Sequence, residues 1–167
     1  MTNRTLFKPY EFGEREKAEL DRDGHFIFPG ILSAEAQELL TEALAHIQDL
    51  QPSGVEGYEP NRFAAEFDTY LKSLIGHSQM LDLARRVLGQ DIRFDHCVVL
   101  NRPGGNPGTS WHSHDYAEDD MSLGFVRIFF YVNGFGIDDG WLKVVPGSHL
   151  LRDPKINAET DEILQKE

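Results

Sequence analysis

The sequence holds a single cysteine, Cys97, so no disulfide can form within the chain. That suits a reducing compartment, and the chain is read as cytoplasmic. Long apolar runs are also missing. The stretch Met1–Tyr10 has none, so neither a secretory leader nor a membrane anchor is expected. Positive charge is scarce: 16 Lys and Arg stand against 28 Asp and Glu, a formal net charge of −12. Such a surface repels phosphate backbones, which argues against nucleic acid as a partner; the plainer role of the acidity is solubility. There is no internal repeat and no low-complexity tract. The 167 residues predict one domain, residues 1–167, with enough core to fold without cross-links.

What is present divides in two. The first half, to about residue 90, reads as helical. Residues 11–22 are rich in Glu, Lys and Arg and stop at Asp23-Gly24. Ser33 is a good N-cap for a helix to about Gln48, with Leu39, Leu40, Ala43, Leu44 and Ile47 on one face. Phe63, Phe67, Tyr70, Leu71 and Leu74 mark another amphipathic helix. Ser78 is placed to cap a third, with Leu81, Ala84, Val87 and Leu88 inward and Gly89 as its stop.

Between about 91 and 150 the period shortens to two. Ile92, Phe94, His96, Val98 and Leu100 alternate with Arg93, Asp95, Cys97, Val99 and Asn101, which predicts a long strand. Residues 125–132 are apolar on both faces apart from Arg127, and residues 141–145 form a further strand candidate. The run His25-Phe26-Ile27-Phe28, bounded by Gly24 and Pro29-Gly30, reads as a short strand in the first half. Helices first and strands after is an α+β order.

The sharpest chemical feature is Trp111-His112-Ser113-His114-Asp115. Residues two apart in a strand share a face, so His112 and His114 can hold one cation between them. Asp115 joins them only if the strand bulges. An isolated His-x-His is more often a polar pair bonded to backbone, so the context decides. Asn101-Arg102-Pro103-Gly104 precedes it across a short loop. Asp138-Asp139-Gly140-Trp141-Leu142-Lys143-Val144-Val145-Pro146-Gly147-Ser148-His149 follows. Upstream lies Asp23-Gly24-His25-Phe26-Ile27-Phe28-Pro29-Gly30-Ile31-Leu32-Ser33.

In this order and spacing the four segments resemble the phytanoyl-CoA dioxygenase family of non-haem iron(II), 2-oxoglutarate-dependent oxygenases, over roughly residues 15–155. The resemblance implies a double-stranded β-helix, a jelly-roll or cupin-like barrel with the N-terminal helices packed on one sheet. It implies Fe(II) and 2-oxoglutarate as cofactors, and O2 and a small organic molecule as partners. His112 and His114 become metal ligands, and Val98 and Phe129 line the 2-oxoglutarate pocket. No catalytic group is implied beyond the ligands, because the oxidising chemistry belongs to the metal centre.

The sequence departs from that family in two places. Its carboxylate ligand is replaced by His114, which gives an all-nitrogen pair unless Asp115 swings in. The family's distal His and its 2-oxoglutarate-binding Arg are not found, so the barrel is expected to be incomplete and the chain to be a fragment lacking C-terminal strands. Two alternatives follow: a non-catalytic relative with an incomplete metal site, and a cupin-type metalloenzyme using His112, His114 and His149 without 2-oxoglutarate. His149 otherwise reads as a turn residue bonded to backbone. Arg127 in its apolar segment needs a partner, His96 reads as a core histidine, and Cys97 as a small buried apolar group.

Overall fold

Local capping chemistry sets most helix boundaries. The structure is a computed structural model and describes residues 4–51, 55–102, 104–105, 108–109, 111–112, 124–134, 136 and 142–151. Helix α1 (Glu14–Asp23) follows Gly13, whose N–H donates to Glu16 Oε2 at 2.9 Å. It ends at Gly24, which adopts φ 77° and returns its N–H to Leu20 O. Helix α2 (Ala34–Asp49) starts at Ser33, whose Oγ accepts from the Ala36 N–H at 3.1 Å. Ala36, Leu40, Ala43 and Ile47 are buried along one stripe, while Leu39 and Leu44 are half-buried beside it.

The single helix expected over residues 63–74 is two, α3 (Ala64–Phe67) and α4 (Thr69–Ile75). Asp68 divides them because its Oδ1 accepts from the N–H groups of Tyr70 and Leu71, each at 2.9 Å. That side chain satisfies the first orphan donors of a new helix. Helix α5 (Ser78–Leu88) is capped by His77 rather than Ser78: the Gln79 N–H points at His77 Nδ1 at 3.3 Å. Gly89 ends it, and Leu83 is its buried residue. Helix α4 packs on α2, α3 and α5.

The double-stranded β-helix expected from the sequence is not what the described residues form. Among them the only β-pairing is an isolated antiparallel bridge between Phe7 and Leu32, and no sheet or barrel is present. The bridge is framed by Lys8 N–H to Ile31 O at 2.8 Å and Ser33 N–H to Leu6 O at 2.9 Å. The segment 92–101 gives its hydrogen bonds to the turn before α3 instead of a neighbouring strand. Ala64 N–H donates to Cys97 O at 2.9 Å and Val99 N–H to Asn61 O at 2.8 Å. A two-residue period describes how a segment divides its side chains between inside and outside. It does not supply the hydrogen-bonded neighbour that makes a strand. Residues 25–28 and 142–145 are likewise irregular. Phe26 sits edge-on to Phe12 at 5.9 Å, and Phe28 edge-on to Tyr10 at 5.3 Å.

The chain falls into two compact units. The first comprises Met1–Tyr10, Phe28–Pro103 and Phe125–Phe135, and the second Glu11–Ile27, Gly104–Gly124 and Gly136–Glu167. In the first, Leu6, Phe7 and Ile47 are fully buried. Gln79 on α5 clips the N-terminal segment there: its Oε1 accepts from the N–H groups of Leu6 and Phe7, and its Nε2 donates to Phe7 O. In the second, Phe12 and Glu16 are buried. Among the described residues no helix is long and apolar enough to cross a membrane.

Candidate functional site

His112 is exposed, next to a half-buried Trp111, on irregular backbone. Its expected co-ligand His114, and Asp115, lie outside the described residues, as does the Asp138-Asp139-Gly140 part of the later motif. Among the described residues no group of three or more His, Cys, Asp or Glu could hold a metal ion.

Val98 and Phe129, the expected cosubstrate-lining residues, are 44% and 51% exposed. Their surroundings make that exposure informative. Val99, next to Val98, is buried while Leu100 is open again. From 125 to 132 the odd-numbered side chains are exposed and the even-numbered ones half-buried or buried. The inward side is fixed: Phe130 packs against Phe7 at 6.1 Å, and Gln37 Nε2 donates to Val132 O at 2.8 Å. Val98 and Phe129 therefore sit on the open side of their segments rather than in the core. Arg127 is on that side too, with its guanidinium 5.4 Å above the Phe125 ring.

His149 lies in a 3-10 turn, Ser148–Leu151, and its Nε2 is 2.9 Å from Asp21 O. A carbonyl oxygen only accepts, so Nε2 carries the hydrogen and presents no lone pair to a metal in this arrangement. This is the backbone-bonded turn residue the sequence describes.

The comparisons give no relative. No protein-family model, curated protein or solved structure matches the chain. What can be said of chemistry rests on the residues themselves.

The remaining described histidines each face a backbone or carboxylate oxygen. His46 Nδ1 lies 2.9 Å from Asp68 Oδ2, His77 Nε2 lies 2.8 Å from Arg4 O, and His25 Nδ1 lies 3.3 Å from Asp23 O. His96, expected in the core, is part-exposed and pairs with Asp95 at 2.6 Å. Burial pushes the Cys97 thiol up, and the Asp68 carboxylate adds to the effect while the Ala65 N–H opposes it. A thiol held protonated is a poor nucleophile. An open groove of about 430 Å³ along α5, lined by Ser78, Leu81, Asp82, Arg85 and Gln90 among others, contains no residue of the motifs. Sequence reasoning misses Gln79 and the His46–Asp68 pair. Asp68 ahead of Thr69 carries a capping signal, whereas nothing in sequence marks Gln79.

Proposed function

We propose that this chain carries the metal-binding segment of a non-haem iron(II), 2-oxoglutarate-dependent oxygenase acting on a small organic substrate. His112 and His114 supply imidazole nitrogens to the metal, with Asp115 as the carboxylate within reach. Two imidazoles with one carboxylate make the donor set that suits iron(II). When bound, the metal and cosubstrate would supply the oxidising chemistry, coupling decarboxylation of 2-oxoglutarate to succinate with hydroxylation of a substrate C–H bond. On the chain's own side, His112 would hold the metal; Val98 and Phe129, the residues the resemblance gives to the cosubstrate, carry exposed apolar side chains in the other compact unit. The cytoplasm, with its reduced thiols, is the compartment that fits.

The observation that carries this reading is convergence. Helix α1 with its Asp23-Gly24 stop, Trp111-His112, and the Pro146-Gly147-Ser148-His149 turn come from three distant parts of the chain and fall in one compact unit. The test is to supply Fe(II) and 2-oxoglutarate and to measure succinate and O2 uptake. Succinate formation that disappears in His112→Ala supports the proposal. Absence of both signals with a broad substrate panel, together with unaltered metal content in His112→Ala, overturns it.

A further inference from the structure

A helix ends with carbonyls that no following turn can satisfy. At the end of α1, two of them are taken by a segment far along the chain. Gly147 N–H donates to Asp23 O at 2.9 Å, and His149 Nε2 donates to Asp21 O at 2.9 Å, 128 residues away in sequence. Between these bonds the imidazole presses against Gly24. A Cβ at Gly24 would lie 2.3 Å from His149 Nδ1, 2.8 Å from Cγ and 3.0 Å from Cε1. Gly24 is thus constrained twice, by its φ of 77° and by the ring that occupies the space of a side chain. Gly147 also turns at positive φ, 76°, and a Cβ there would lie 3.7 Å from Arg22 O.

The geometry points to a latch in which His149 is the bolt and Gly24 the seat, fastening the turn at residues 146–151 to the C-terminal end of α1. The two motifs are therefore parts of one device. Asp23-Gly24 stops the helix, and Pro146-Gly147-Ser148-His149 takes the carbonyls of Asp21 and Asp23, the second of which His25 Nδ1 also approaches at 3.3 Å. Closure holds the 142–151 segment in the unit that also carries Trp111 and His112. Opening would release the imidazole, uncover the helix end and free the segment bearing exposed Leu142 and Val144. The latch does not depend on the oxygenase reading and needs no metal.

Hydrogen exchange followed by mass spectrometry on the full chain tests it. In His149→Ala, exchange at residues 146–151 rises about tenfold, the ratio that loss of roughly one hydrogen bond produces. Gly24→Asn gives the same rise, because Asn tolerates the left-handed backbone while its side chain displaces the ring. The double variant shows no further increase, since both changes remove one contact. His149→Gln, whose amide nitrogen reaches the Nε2 position, restores most of the protection. Unchanged exchange in His149→Ala, or effects of the two single variants that add, would overturn the latch. Should His149→Ala unfold the whole chain, His149→Gln decides: protection supports the latch and full exchange contradicts it. Addition of Co(II) leaves residues 146–151 protected; release on metal binding would make His149 a ligand and refute the latch.

Discussion

Replacing Gln79 with alanine removes three hydrogen bonds with one side chain. Oε1 accepts from the N–H groups of Leu6 and Phe7 at 2.7 and 3.0 Å, and Nε2 donates to Phe7 O at 3.0 Å. Leu6 and Phe7 are 1% and 2% exposed, so bulk water cannot readily take over from the amide. At about 1 kcal/mol net per hydrogen bond, the loss is about 3 kcal/mol, and any backbone group left dry raises it further. For a chain of this length, that loss lowers Tm by roughly 6–12 °C. Urea unfolding followed by far-UV circular dichroism reads the change directly. Gln79→Glu keeps the acceptor and loses the donor, setting a carboxylate oxygen against Phe7 O. It should be destabilised near neutral pH and partly recover in acid, where the protonated carboxyl can donate again. A Gln79→Ala shift below about 0.5 kcal/mol, the range of an ordinary surface change, would refute the clip.

Two further outcomes follow from the charge and thiol environments. Glu16 is held below its usual carboxylate range, first by the Gly13 N–H and then by Arg15. A depressed carboxylate contributes stability above its unfolded pKa and loses it as pH falls through the folded value. Acid titration of stability should therefore be shallower in Glu16→Gln than in the wild type. Cys97, pushed up by burial, should react slowly with a disulfide reagent in the folded chain at mildly alkaline pH and rapidly in urea; equal rates would contradict its shielding.

Helix punctuation is legible in this sequence because it is local. Gly24, Ser33 and Gly89 each act within one turn of backbone, and each stands where its chemistry predicts. The break at Asp68 is harder to see, because Phe63, Phe67, Leu71 and Leu74 keep a helical spacing across it. The side chain's bonds to Tyr70 and Leu71 win over the spacing. At Ser78 the better capping residue by type loses to His77, whose Nδ1 faces the Gln79 N–H one residue earlier than a Ser78 cap would reach. The β-rich half fails for a different reason. Alternation over 92–101 puts Phe94, His96, Val98 and Leu100 on one apolar, inward face, yet Phe94, Val98 and Leu100 are exposed and Val99 from the other face is buried, because strand pairing, which would set the inward face, is a long-range property. The backbone of Cys97 and Val99 finds its partners at Asn61 and Ala64, a choice that no periodicity encodes. The same holds for His149. Its backbone-bonded role is legible from its turn, whereas its bond to Asp21 O and its seat on Gly24 appear only when residues 128 and 125 apart in sequence are brought together.

The claim that His112 anchors a metal is tested most directly by anaerobic equilibrium dialysis of Fe(II) with 2-oxoglutarate, comparing the wild type with His112→Ala and His149→Ala. Binding of one Fe(II) per chain, weakened at least about tenfold in His112→Ala, is expected, because each ligand contributes directly to affinity. His149→Ala should bind as the wild type does, since its Nε2 is committed to Asp21 O. Fe(II) binding that is absent in the wild type, or indifferent to His112 and lost with His149, would contradict the account.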